Sequence, residues 1–307
     1  MKKILSLVFV LVLSLSCLVA CSDKDTTKTY SVGIAVESVA LSSRGGAKLG
    51  NNFAVVVFDE DGKIVAADFD STEISAPTLD ESGSIVAQDI VSKVESDYKK
   101  GSMSATWGDQ ADAFANFIKG KTAAEVEALD VTTEGLVAGC TMVSESYSSM
   151  LNLQALVVKA AASTKKVTFQ SESADFTIGA GMSVSVAKNW SGAVEVTADC
   201  AGAIVGADGK IAAVVIDTIV QSYSANSDGV LTLNTISDSK LALGDVYEGD
   251  TPMEGGRWYA QIAAFGSTAV GKTVAEVSDL ATENVTGCTI NVTGHKAVLV
   301  KAANDAK

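Results

Sequence analysis

The chain repeats itself, and any fold it adopts has to accommodate the same pattern twice. Asp61-Gly62-Lys63-Ile64 recurs as Asp208-Gly209-Lys210-Ile211. Trp107, Gln110 and Phe114 recur as Trp258, Gln261 and Phe265, and Gly120-Lys121-Thr122 with Glu125-Val126 recurs as Gly271-Lys272-Thr273 with Glu276-Val277. Gly139-Cys140-Thr141 returns as Gly287-Cys288-Thr289, and Lys159-Ala160-Ala161 as Lys301-Ala302-Ala303. Five landmarks in one order mark two homologous units. They are expected at 29–163 and 174–304, joined by the polar stretch Ser163 to Ala174. Each is long enough to bury a core.

Both units carry the same local signals. Phe53 to Phe58 reads as a valine-rich strand, Asp61-Gly62 as a tight turn and Ile64 to Phe69 as the returning strand. The second unit repeats this around Asp208-Gly209. A helix is expected near Asp109 to Lys119, with apolar residues at Ala111, Phe114, Phe117 and Ile118. Thr122 with Glu125, and Thr273 with Glu276, match a capping box that starts a short helix. Cys140 to Ser146 and Cys288 to Thr293 read as strands, and closing helices are expected over 149–162 and 295–303. The class is α+β: antiparallel hairpins with helices packed on them.

The N-terminus has a different character. Lys2 and Lys3 precede an apolar run from Ile4 to Ser16, of signal-peptide length and too short for a comfortable membrane span. Leu18-Val19-Ala20-Cys21 then reads as a lipobox. On this reading residues 1–20 are a cleaved signal, Cys21 carries a lipid, and 21–28 form a polar tether. The mature protein is expected on the extracytoplasmic face of the cell membrane. The remaining cysteines, Cys140, Cys200 and Cys288, are odd in number, which argues against a disulfide framework. A formal charge of -14 repels phosphate backbones, so nucleic acid is set aside as a partner.

Much catalytic chemistry is excluded by inventory. His295 is the sole histidine, so a histidine-rich zinc site is impossible and a Ser-His-Asp triad has one residue to draw on. Following Gly294, it is expected to be a solvated helix-start residue. Neither a phosphate-binding P-loop nor a dinucleotide fingerprint is present. Asp59-Glu60-Asp61-Gly62 fits a hairpin turn better than a calcium loop, and no metal site is expected. The matched Trp107 and Trp258 suit packing at a helix end, with ring stacking on a ligand as the alternative. Arg257 could pair with a phosphate, although the first unit has Thr106 there.

The end of the second unit reads Glu283-Asn284-Val285-Thr286-Gly287-Cys288-Thr289, followed by a closing helix. This resembles the FMN-binding domain family, whose members carry an Asp-x-x-Ser/Thr-Gly-Ala-Thr/Ser motif before a final helix. The upstream order is similar too: Asp61-Gly62-Lys63-Ile64, Phe114, Gly120-Lys121, then Thr141, with its counterpart in the second unit. In that family a flavin transferase esterifies the FMN phosphate to the motif's last hydroxyl. The resemblance implies that Thr289 is the acceptor, with Thr286, Gly287, Cys288 and Glu283 around it. In the first unit Thr141 is the acceptor, after Gly139 and Cys140. The departures are Glu283 for Asp, cysteine for alanine in both units, and Gly135 in the acidic place with Glu134 beside it. What the resemblance implies is an anchored electron carrier rather than a catalyst, with a flavin transferase and redox partners. The alternative is a cofactor-free ligand-binding or adaptor lipoprotein of the same fold.

Overall fold

The structure, a computed structural model, describes residues 27–43, 46–99, 103–142, 149–172, 174–283 and 285–307. The signal segment, Cys21, most of the proposed tether, Asn284 and residues 143–146 of one expected strand lie outside them.

Three long strands open the chain: β1 (Lys28–Ser43), β2 (Gly46–Phe58) and β3 (Ile64–Ser75). Helices α1 (Trp107–Ile118), α2 (Ala123–Glu127) and α3 (Met150–Ala162) follow, then a short strand β4 (Val167–Ser171). The order then recurs as β5 (Phe176–Lys188), β6 (Val194–Gly206) and β7 (Ile211–Ala225). After β8 (Leu231–Leu233), α4 (Lys240–Leu243) and a 3-10 turn at Gly244–Tyr247 come α5 (Trp258–Ala269), α6 (Val274–Ser278) and α7 (Thr293–Asn304). The protein is α+β, with two four-stranded antiparallel sheets ordered β3-β2-β1-β4 and β5-β6-β7-β8.

The sheets stack face to face, β1 against β7 and β3 against β5. That crossed pairing is what a local two-fold axis produces when each partner's first strand meets the other's third. The second half of β2, Phe53 to Phe58, shows why its sequence is apolar without a break. Phe53, Val55 and Val57 enter the layer between the sheets, while Ala54, Val56 and Phe58 face α1 and α3. Side chains alternate along a strand, so a strand covered on both faces needs apolar residues at every position. The second sheet repeats the layering: Ala201, Ala203, Val214 and Ile216 meet α5 and α7 on its outer face.

Two glycines set the distance between helix and sheet. A Cβ on Gly33 would collide with the carbonyl oxygen of Ala160 in α3, and one on Gly179 would collide with that of Ala302 in α7. Only glycine lets the backbones approach this closely. Both tight turns form as expected, with Gly62 at φ 75° and Gly209 at φ 74°. Asp59 Oδ1 accepts the amides of Asp61 at 3.0 Å and Lys63 at 2.8 Å across the first. Both capping boxes are formed, Thr122 with Glu125 and Thr273 with Glu276.

Two expectations need correction. No strand runs over Cys288 to Val292 or over the described Cys140 to Met142; these residues are irregular loop, and Thr293 already begins α7. The stretch between Ser163 and Ala174 is no mere joiner, because β4 lies within it and pairs with β1 from Val32↔Val167 to Lys28↔Ser171. Phe169 anchors it, stacking on Tyr30 with ring centroids 5.3 Å apart. Among the described residues no helix is long and apolar enough to cross a membrane.

Candidate functional site

The loops before α3 and α7 carry the motif threonines, and both are shaped by the same turn. Gly139 sits at φ 81° and Gly287 at φ 78°, in the left-handed region that favours glycine. Each turn closes with a backbone bond, Cys140 N to Val137 O at 3.1 Å and Cys288 N to Val285 O at 2.9 Å. The cysteines point inward, 6% and 8% exposed, within the helix-side cores. Burial pushes both thiols above their ordinary range, so they serve as apolar packing under the turn. Thr141 and Thr289 emerge on the exposed side.

A buried glutamine holds each threonine. Gln110 of α1 and Gln261 of α5 are both 0% exposed. Gln261 Oε1 accepts the Thr289 amide at 2.7 Å and lies 3.0 Å from the hydroxyl; Gln110 Oε1 accepts the Thr141 amide at 2.6 Å and lies 3.2 Å from its hydroxyl. The glutamine orientation is fixed by its own donors. Gln110 Nε2 donates to Ala105 O at 3.0 Å, and Gln261 Nε2 donates to Gly256 O at 2.7 Å and Glu254 O at 3.0 Å. An amide with both ends committed is a rigid bracket. These glutamines were visible in the sequence only as repeat landmarks; their recurrence at a fixed place in a helix was the available signal.

The two sites differ at the hydroxyl. Thr141 Oγ1 accepts the Ser104 amide at 3.2 Å, beside a depression of about 560 Å³ lined by Thr132, Thr133, Ala138, Gly139 and Thr141. Thr289 Oγ1 instead donates to the carbonyl of Glu254 at 2.5 Å. Glu283, Thr286 and Gly287 are exposed on the loop around Thr289. Neither tryptophan is available to stack on a ligand: Trp107 is 1% and Trp258 3% exposed, each packed in a helix-side core. Arg257 is tied down, with Nη1 donating to Gly249 O at 2.6 Å and ion pairs to Asp245 and Glu248.

His295 is not the solvated residue expected. It is 7% exposed, and Nε2 lies 2.9 Å from Thr218 Oγ1 and 3.3 Å from Asp199 Oδ1. Thr218 gives its only proton to Asp199 Oδ1 at 2.7 Å, so Nε2 must carry the hydrogen that faces the Thr218 oxygen. Burial works against ionisation of Asp199, yet the bonds from His295 and Thr218 hold its carboxyl below the ordinary range. The cause of the misreading is the helix start. Helix α7 begins at Thr293, which places position 295 on the same inward face as Val298, Leu299 and Ala302.

Sequence reading also missed a pair of buried carboxylates. Asp70 and Asp217 are 2% and 1% exposed and occupy matching places in β3 and β7. Asp70 Oδ1 accepts the amides of Ser71 at 2.8 Å and Val94 at 3.3 Å; Asp217 Oδ1 accepts those of Thr218 at 2.7 Å and Leu241 at 3.0 Å. The dipeptides Ser92-Lys93 and Ser239-Lys240, which bring the matching serines to these carboxylates, were the overlooked signal.

No protein-family model matches the chain, and no curated protein or solved structure is similar to it. What can be said of the site therefore rests on its own geometry.

Proposed function

We propose that this is a lipid-anchored extracytoplasmic protein that binds flavin and passes electrons, with FMN held through its phosphate on Thr289 and Thr141. The observation that supports the reading is the repeated bracket of a buried glutamine on an exposed threonine, Gln110 with Thr141 and Gln261 with Thr289. A phosphoester acceptor has to present its oxygen at the surface on an immobile backbone, with small neighbours that let a transferase and a phosphate approach. Gly139 and Gly287 meet the second condition and the glutamines the first. Bound flavin would supply the one- and two-electron chemistry, and the protein would supply placement. The buried tryptophans leave the ring to be held by the loop and the walls of the depression beside Thr141.

The test is an intact mass of protein purified from a host that contains a flavin transferase. One or two FMN increments, with yellow colour lost stepwise in Thr289→Val and Thr141→Val, would support the reading. A colourless chain of unmodified mass that also binds no free FMN would end it. A second reading, a cofactor-free binding or adaptor lipoprotein, is favoured by the Thr289 hydroxyl being committed to the Glu254 carbonyl and by Arg257 being engaged by carboxylates.

A further inference from the structure

The two motif threonines share a bracket but not a neighbour. Counting back three residues from Trp107 and from Trp258 gives Ser104 in the first repeat and Gly255 in the second. The Ser104 amide donates to Thr141 Oγ1 at 3.2 Å, and the Ser104 hydroxyl donates to the Gly139 carbonyl at 3.1 Å. In the second repeat the chain comes closer. A Cβ on Gly255 would stand 2.9 Å from both Oγ1 and Cγ2 of Thr289, well inside ordinary contact distance. Glycine there lets the segment 253–256 lie as a strap against the Thr289 side chain. The strap is held from beneath. The Glu254 carbonyl accepts the Thr289 hydroxyl at 2.5 Å and Gln261 Nε2 at 3.0 Å, and the Gly256 carbonyl accepts Gln261 Nε2 at 2.7 Å. Glu254 and Gly255 are exposed, so the strap can lift without opening a core.

The direction of the hydroxyl bond separates the two sites. A phosphoester oxygen has lost its proton and can only accept. At Thr141 that suits the bond already present, because the Ser104 amide donates to Oγ1 before and after esterification. At Thr289 the hydroxyl is the donor. Once esterified, its oxygen would face the Glu254 carbonyl oxygen at 2.5 Å with no hydrogen between them, and the strap would have to move away. The glutamine oxygen stands near the hydroxyl in both repeats, at 3.2 Å and 3.0 Å, so it does not distinguish them.

We propose that the strap 253–256 gates Thr289, so that the sites load in order, Thr141 first and Thr289 only when the strap opens. The order rests on the flavin reading above. The step is the same at both sites. The threonine oxygen attacks the FMN phosphorus of a flavin dinucleotide brought by the transferase. The new P–O bond forms as the pyrophosphate P–O bond breaks, the nucleoside monophosphate leaves with the bonding pair, and the threonine proton passes to a base of the transferase.

The experiment produces the full chain with a flavin transferase present and samples it over time. Occupancy of the peptides that hold Thr141 and Thr289 is read by mass spectrometry. At early times Thr141 is expected to be about tenfold more occupied, the ratio that breaking one hydroxyl bond at the second site alone would give. Gly255→Ser, which puts the first repeat's residue into the strap, should bring Thr289 loading close to that of Thr141. Should that variant fail to fold, the time course of the native chain decides alone. A second measurement reads the strap without flavin. In chain made without the transferase, Thr289→Val should speed exchange of the Gly256 amide severalfold, and Thr141→Val should not. Equal early loading of the two threonines, Thr289 loading first, or unchanged Gly256 exchange in Thr289→Val would overturn the gate. Threonines bare in both the native chain and Gly255→Ser, with Gly256 exchange responding as expected, would instead remove the flavin reading and the loading order with it.

Discussion

The backbone amide of Thr289 donates to the side-chain oxygen of Gln261 at 2.7 Å, and the glutamine is wholly buried while the threonine is exposed. A loop residue is thereby tied to the interior of a helix one element away. The same tie in the first repeat, Thr141 to Gln110, makes it a property of the fold rather than of one loop.

Replacing Gln261 with leucine should therefore strand the Thr289 amide and the Gly256 carbonyl, while the Glu254 carbonyl keeps the Thr289 hydroxyl. The cost is expected at about 1–3 kcal/mol, the range for a broken buried hydrogen bond. Hydrogen exchange is the better measurement, because the Thr289 and Ile290 amides should lose protection while those of β6 keep it. Unchanged protection at Thr289 would show that the bracket does not hold the loop.

Three buried aspartates make stability depend on pH in an unusual direction. Burial pushes Asp68 up to about 7, against the opposing charge of Lys307, and pushes Asp70 and Asp217 up to about 6. A carboxyl whose folded pKa exceeds its unfolded value binds its proton more tightly in the folded state. Its contribution is fully present below about pH 4 and is lost as pH rises through 6 to 7. For Asp217 the loss is on the order of 3 kcal/mol at most. The urea midpoint should thus fall between pH 5 and pH 8, and Asp217→Asn should flatten that fall. A midpoint that rises steadily over this interval would contradict the assignment.

In the first repeat Asn52, Ser71 and Leu153 stand in the places of Asp199, Thr218 and His295, and only the hydroxyl bond is kept, Ser71 Oγ donating to Asn52 Oδ1 at 2.9 Å. His295→Leu should leave the Asp199 carboxylate short of a partner and lower stability by about 1–3 kcal/mol at pH 7. Adding Asp199→Asn recreates the first repeat's pattern and should recover much of that loss. A double-mutant cycle by urea unfolding reads the coupling, and strict additivity would mean that the groups do not interact.

Gly179→Ala is expected to cost more than a typical surface change, about 2 kcal/mol or more, because its methyl meets the Ala302 carbonyl and overpacking has no outlet there. Gly192→Ala, in an exposed turn at φ 85°, supplies the comparison for backbone strain without a clash. A smaller loss in Tm for Gly179→Ala than for Gly192→Ala would contradict the close approach.

Sequence patterns carried local rules well and long-range ones poorly. The hairpins at Asp61-Gly62 and Asp208-Gly209, both capping boxes and the closing helices are set by neighbours a few residues away, and their signals survive in any context. Strands β1 and β5 passed unread because serine, glycine and alanine break their apolar pattern, while partners on both sides decide their burial. The motif loops were misread as strands because β-branched threonine favours extended structure; Gly139 and Gly287 turn the chain there, and the glutamines take the amides a neighbouring strand would have used. The buried carboxylates Asp70 and Asp217 left only the repeated Ser-Lys dipeptides as a trace, because the segments that bond them, around Val94 and Leu241, are distant in the chain.

The layer shared by the sheets has a consequence for descent. Phe53, Val55 and Val57 from one repeat and Ile204, Ala213 and Val215 from the other complete a single interior, so neither half owns the surface it hides. The unit that selection sees is the fused pair. Drift on one inward face must be answered on the opposite one, while the outer loops are free to part company, which is where Thr141 and Thr289 already differ.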